Sequence, residues 1–246
     1  MRPHFEDIWR YDTLTAQWTK LVPSTPPTHN TTAHQTPIST CVGGTIYGTL
    51  PDGTFSFYDL ISNAWTTLAQ PLAPLSTATI SSAGGVVLDG VGYVYGGYQG
   101  DDVYLGALAA LGHNGGSVVA NGTAAGSSSP LPREKMCMAA WNGSILVWGG
   151  DDARNVALNQ ISDSGIWVST TGGAWSELPM LVATGAVAPP EPAIATCTVV
   201  GSVLYIWATS TRPGTFITTP YGLLHKLNLA TMTWISGPSL DPAPAT

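Results

Sequence analysis

The sequence predicts an all-β protein built from repeated four-stranded antiparallel units, and three observations carry that expectation. Only 9% of the 246 residues are charged while 44% are apolar, and 28 Gly and 19 Pro punctuate the chain. That composition suits many short strands joined by turns better than surface helices. A Trp follows a small polar residue at a constant step of six residues, from Asp12 to Trp18, Asp59 to Trp65, Ser169 to Trp175 and Asn228 to Trp234. Apolar segments ending in a small residue recur around Tyr47 (TIYG), Tyr95 (YVYGG), Trp148 (ILVWGG) and Trp207 (LYIWA), at steps of 48, 53 and 59 residues. Self-similarity at periods near 50 residues marks a repeat architecture.

Within a unit the elements follow in a fixed order. A short first strand (ISTCVGG, MCMAAWNGS or ATCTVVGS) leads into the apolar second strand with its terminal Gly. A variable loop comes next, then an aromatic third strand such as FSFYD before Asp59 or LLHKLN before Asn228. The small polar residue turns the chain by bonding its own backbone, and the Trp enters the fourth strand as a large core filler. The first unit begins at its third strand, Asp7 to Asp12. The unit around Tyr95 has no Trp after Val103, Tyr104 and Leu105; its Ala- and Gly-rich continuation predicts a weakened outer strand and a long flexible loop, with a short helix over Leu105–Leu111 as the alternative.

Four strands per unit, the glycine pairs Gly96-Gly97 and Gly149-Gly150, and the downstream aromatic strand with its Trp (Trp18, Trp65, Trp175, Trp234) resemble the kelch repeat. That family lies within the galactose oxidase-like central-domain superfamily. The resemblance implies a kelch-type β-propeller over residues 1–238, with blades near 7–22, 37–70, 78–125, 135–180 and 192–238 and a Pro/Ala/Thr-rich tail at 239–246. Two glycine positions depart from the pattern, where Gly48 stands alone and Ala208 replaces the pair. The expectation is one domain of about four full blades plus an outer half blade, part of a six- or seven-bladed ring. No donor strand to complete the half blade is visible after Trp234.

Charge excludes some partners. A net charge of −7 with 8 Lys plus Arg leaves no basic patch for nucleic acid or an anionic membrane surface. No apolar run approaches the roughly 20 residues of a membrane span, and MRPHFEDIWRYD contains no hydrophobic signal core. Cys41, Cys137 and Cys197 lie in apolar strand contexts and read as buried structural thiols, with a single disulfide as the open alternative.

In a propeller the loops between second and third strands gather at one end. Here they contain Asp52, Asp101, Asp102, Asp151, Asp152, Arg154 and Arg212, the binding candidates. No spaced carboxylate loop of the Ca²⁺-binding kind occurs, so no metal is expected. The kelch-like copper radical oxidases need a cross-linked Tyr–Cys pair, a second Tyr and two His, and none of His4, His29, His34, His113 and His225 falls in a copy of that arrangement. His225 reads as a packed or solvent-facing residue of an aromatic strand. No nucleophile elbow or phosphate loop is present either, so neither catalytic residues nor cofactors are expected.

Sequons at Asn30, Asn121 and Asn142 are glycosylation candidates, Asn121 and Asn142 in loop or turn contexts. With the low charge they favour an extracellular or cell-surface setting over a cytoplasmic one. The expected role is a non-catalytic scaffold binding a protein or glycan. The alternatives are a degenerate secreted copper oxidase and a structural subunit of a larger assembly.

Overall fold

The computed structural model describes residues 8–12, 14–24, 39–42, 45–49, 55–67, 82–98, 103–112, 115–121, 129–151, 165–170, 174–179, 181–182, 193–210 and 223–235. Among these there is no helix, and the chain is all-β. Its strands form several small sheets taken in sequence order. Among the described residues the first sheet holds β1 (Ile8–Asp12) and β2 (Gln17–Leu21). The second runs β3 (Ser39–Val42), β4 (Thr45–Thr49), β5 (Phe55–Asp59), β6 (Ala64–Thr67), and the third β7 (Gly84–Leu88), β8 (Val91–Tyr95), β9 (Ala107–Gly112), β10 (Gly115–Asn121). The fourth comprises β11 (Cys137–Trp141), β12 (Ser144–Trp148), β13 (Ile166–Thr170) and β14 (Trp175–Leu178). In the fifth, β15 (Leu181–Val182) adds in parallel to the antiparallel run β16 (Ala193–Val200), β17 (Val203–Ser210), β18 (Leu223–Asn228), β19 (Thr233–Ile235).

Two turn devices build these meanders. The first hairpins close tightly: Leu88 pairs with Val91 across Asp89-Gly90, and Trp141 with Ser144 across Asn142-Gly143. Both turn residues have positive φ in each case, 51° and 78° in one, 49° and 70° in the other. That is the signature of the type I′ turn, whose twist matches the strands it joins. The second hairpins use the small polar residue as the sequence predicts. Asp12 Oδ1 accepts from the backbone N–H of Leu14 and Thr15, Asp59 Oδ1 from Ile61 and Ser62, and Asn228 Oδ1 from Ala230 and Thr231. A left-handed residue follows in each, Ala16, Asn63 or Met232, with φ of 52–54°. Each turn then delivers its Trp opposite the same strand position, so that Tyr11 faces Trp18, Tyr58 faces Trp65 and Leu227 faces Trp234.

Packing explains why β12 is continuously apolar from Ile145 to Trp148 rather than alternating. Its two faces are both covered: Ile145 and Val147 join Val86, Tyr93, Tyr95 and Leu108 of the third sheet, while Leu146 and Trp148 join Leu204, Ile206, Leu227 and Trp234 of the fifth. A strand buried on both faces reads as a continuous hydrophobic run. Each such side chain contributes about 1.5–3 kcal/mol on burial. The sheets stack through their first strands, with β7 beside both β3 and β11, and β11 beside β16. Backbone bonds lace that row: Lys135 N–H donates to the Ser82 carbonyl at 2.7 Å, and Ala195 N–H to the Lys135 carbonyl at 3.1 Å. Ser82 and Lys135 share a left-handed conformation, φ 57° and 56°.

Several sequence expectations change. Cys137 and Cys197 are not separate thiols but a disulfide between β11 and β16, formed because both face the same inter-sheet core from neighbouring first strands. Residues 107–112 form β9, not a helix, and pair regularly with β10 apart from a register shift between Val118 and Ala120. The expected weak strand is thus a pair of strands, since small side chains still satisfy a ladder of backbone hydrogen bonds, while the loop expected beyond it, at 122–128, lies outside the described residues. Asn121 is the last residue of β10, not a loop residue.

Ser169 is not the counterpart of Asp12. Trp175 pairs with Ser169 itself, so Ser169 takes the place of Tyr11 and Thr170 that of the turn residue. Buried at that position, Ser169 donates its hydroxyl to the Thr170 carbonyl at 2.9 Å. Trp18 is no core filler, being 63% exposed; among the described residues its sheet holds β1 and β2 alone.

Candidate functional site

The end of the sheets where second strands finish and third strands begin carries the site, and its backbone is set by the glycine pairs. Gly96, Gly97, Gly149 and Gly150 all have positive φ, between 66° and 108°. A side chain at Gly96 would strike the Arg133 carbonyl and one at Gly150 the Glu134 carbonyl, so only glycine permits the approach. Into that space comes the segment Leu131–Met136 that leads into β11. Gly97 N–H donates to the Arg133 carbonyl at 2.8 Å, and Arg133 N–H to the Leu105 carbonyl at 3.1 Å. Glu134 and Asp151 exchange both backbone hydrogen bonds, each at 2.9 Å.

Arg133 is wholly buried. Its Nε donates to the Leu131 carbonyl at 2.9 Å and its Nη1 to the Gly149 carbonyl at 3.0 Å, so the guanidinium fork ties the segment to the glycine pair of its own sheet. Beside it stands a charged trio. Lys135 Nζ pairs with Glu134 Oε1 and lies 4.0 Å from Asp151 Oδ2. Both carboxylates are nearly buried, whereas the lysine side chain is about a third exposed, so Lys135 is the member of the trio that reaches solvent. The Lys135 backbone links Ser82, just before β7, to Ala195 of β16, so the trio adjoins the row of first strands.

Close by, Tyr98 and Tyr104 bridge across the start of the next loop with rings 5.2 Å apart and edge to face. Val103 beside them is exposed. Tyr95 anchors this corner from within, donating its hydroxyl to the Pro130 carbonyl at 2.8 Å and setting its ring 5.2 Å from Trp175. Half-buried tyrosines with a cationic tip and carboxylates suit polar, wet recognition, where an apolar ring face and a hydrogen-bonding rim act together.

Of the binding candidates, Asp151 lies in this cluster and is buried rather than presented to solvent. Asp52, Asp101, Asp102, Asp152, Arg154 and Arg212 lie outside the described residues, as does Asn30. Asn142 is exposed in the β11–β12 turn, while nothing is described of the Asn121 side chain. His225 is buried, its ring 6.4 Å from Trp234. Among the described residues no group of His, Cys, Asp or Glu side chains is arranged to hold a metal ion. No helix among them is long and apolar enough to cross a membrane.

Sequence reasoning missed Arg133, Glu134, Lys135, Tyr98 and Tyr104. A signal was there, since three charged residues stand in a row immediately before a first strand in a chain with so few charges. No protein-family model matches the chain, and no curated protein matches it.

Proposed function

We propose that the chain is a segment of a kelch-type β-propeller that serves as a non-catalytic scaffold, binding a protein or glycan at the loop end of its sheets in an oxidising, extracellular setting. The observation that carries this reading is the row of neighbouring first strands β3, β7, β11 and β16, tied together by the Lys135 backbone, which bonds Ser82 and Ala195. A radial stack of meanders presenting loops at one end is what a propeller requires. The Cys137–Cys197 disulfide supports the extracellular setting, because such bonds persist in oxidising compartments and are rare where thiols are kept reduced. An exposed sequon at Asn142 agrees with it.

The test is to express the chain through a secretory route and screen it against immobilised glycans and extracellular proteins. Any ligand found is then titrated against Lys135→Glu and a Tyr98→Ala/Tyr104→Ala double variant. The expected result is binding that falls at least about tenfold in one of these variants, the loss of a hot-spot contact. Undiminished binding in both would move the site elsewhere on the molecule. Stoichiometric copper in the purified protein, with oxidation of a sugar alcohol, would replace the scaffold reading by the oxidase one.

A further inference from the structure

Asn63 stands where the first two sheets meet. It is the left-handed residue of the Asp59 turn, with φ 54°, a conformation that Asn adopts more readily than most side chains. Its amide is used at both ends. Oδ1 accepts from the Tyr58 hydroxyl within the second sheet, which fixes the orientation in which Nδ2 donates to the Val22 carbonyl at 2.7 Å. The backbone carbonyl of Asn63 accepts from the same segment, from the Ser24 N–H at 2.8 Å and the Ser24 hydroxyl at 3.0 Å.

The segment seated on Asn63, Val22-Pro23-Ser24, follows directly on β2. Pro23 fixes its own φ and biases Val22 to extended backbone, so the Val22 carbonyl and the Ser24 N–H are offered by a stiff strap. The same junction recurs between the fourth and fifth sheets. Ser24 lies six residues after Trp18, and Leu181 six after Trp175. Asn63 lies two residues before Trp65, and Met232, also left-handed, two before Trp234. Leu181 and Val182 pair with Thr233 and Trp234, directly after Met232. In both places the tail of one sheet's last strand seats on the end of the next sheet's outer turn. Beside Met232, whose side chain has no donor, strand pairing makes the contact; at Asn63 the side chain takes part. Among the described strands, β1 and β2 meet each other far more than they meet any other.

We infer that Asn63 is a latch that holds the β1–β2 hairpin to the second sheet as a releasable arm, and that Tyr58 sets the latch by orienting the Asn63 amide. Without the bond from Tyr58 the amide is free to rotate, and the Val22 carbonyl loses its donor although Tyr58 is not bonded to the strap. Opening breaks exposed hydrogen bonds at Val22 and Ser24 while the ladders within both sheets stay paired, which is the kind of local opening that costs least. No ligand enters this inference, so it does not rest on the scaffold reading.

Amide exchange in the full chain tests it. Asn63→Asp keeps an acceptor for Tyr58 and tolerates the left-handed turn but cannot donate to Val22. Exchange at the Ser24 N–H should quicken by about tenfold, the loss of one or two hydrogen bonds, and the β1–β2 amides should quicken with it, while β5, β6 and β12 keep their rates. Tyr58→Phe should quicken Ser24 in the same direction by a smaller factor. Unchanged Ser24 exchange in either variant overturns the proposal. Equal quickening along β5 and β6 in Asn63→Asp overturns it too, since Asn63 would then serve its own turn alone. Should Asn63→Asp lose protection on β12, Ser24→Pro takes its place: it removes both donors of the strap and leaves the sequence of the second sheet intact, and β1–β2 exchange that stays unchanged overturns the latch equally.

Discussion

Cys137 and Cys197, 60 residues apart in the chain, join the first strands of two neighbouring sheets with 5.3 Å between their Cα atoms. The bond lies within the cluster that also holds Leu146, Leu204, Leu227 and Trp234, so it clamps two sheets that otherwise meet through packing and a few backbone hydrogen bonds. Closing a loop of this length in the unfolded chain is worth about 4 kcal/mol in the chain-entropy account. Cys137→Ser/Cys197→Ser should therefore lose a large part of the molecule's stability. Denaturant melts with and without reductant check it: the wild type under reducing conditions should fall to the double variant's midpoint, and the double variant should not respond to reductant.

Arg133 is the second clamp. Its buried guanidinium holds two carbonyls, and a lysine could not reproduce the fork. Arg133→Lys should cost roughly 3 kcal/mol, with Arg133→Met comparable, since hydrogen bonds from a charged donor are lost and carbonyls are left buried. Thermal melts give the magnitude. An Arg133→Lys variant as stable as wild type would show that packing rather than the fork holds the Leu131–Met136 segment.

The aromatic positions give a paired expectation. Trp234→Ala should destabilise by about 3–5 kcal/mol, as large-to-small changes in a closed core do. The equivalent Trp18→Ala, on an open surface, should change stability by less than about 0.5 kcal/mol. Equal losses in the two melts would mean that β1–β2 is covered in solution.

Asp12 offers a pH test of the turn. The backbone N–H groups of Thr15, chiefly, and Leu14 hold its carboxyl below the ordinary value of 3.8. A folded pKa below the unfolded one makes the charged form part of the folded hairpin. Its contribution is complete above the unfolded pKa and disappears as pH falls through the lower folded value. In a carboxyl NMR titration Asp12 should titrate below 3.8, and Asp12→Ala should abolish the acid-side loosening of β1–β2 amide exchange.

Burial works in the opposite sense at Tyr58, raising its phenol above the ordinary value of 10.0. The neutral phenol, donating to Asn63 Oδ1, belongs to the folded state. This contribution is complete below pH 10.0 and is lost as pH rises towards the folded pKa. Tyr58→Phe should flatten the alkaline limb of a stability–pH curve, and a curve identical to wild type would show that another group controls that limb.

Local chemistry was legible without coordinates. The β11–β12 turn follows from Asn142-Gly143, because two successive left-handed residues demand that composition. The Asp12, Asp59 and Asn228 turns follow from side chains that bond their own backbone a few residues on. All-β meanders with repeating units follow from these signals together with the apolar second strands. Position in space was not legible. Ser169 satisfies the same six-residue spacing as Asp12, yet its register with Trp175 places it in the core, a difference that depends on strand pairing across the turn. Trp18 and Trp234 have the same local sequence logic and opposite surroundings.

The sequence by itself determined where strands begin, where they turn and which residues do the turning, because those choices are made within a few residues of backbone. Tertiary structure alone decided that Cys137 meets Cys197, that Arg133 sits fully buried against Gly149, and that Lys135 lies between the carboxylates of Glu134 and Asp151. Each of these depends on residues distant in the chain or on how neighbouring sheets stack, and no local propensity encodes which side chains that stacking brings together.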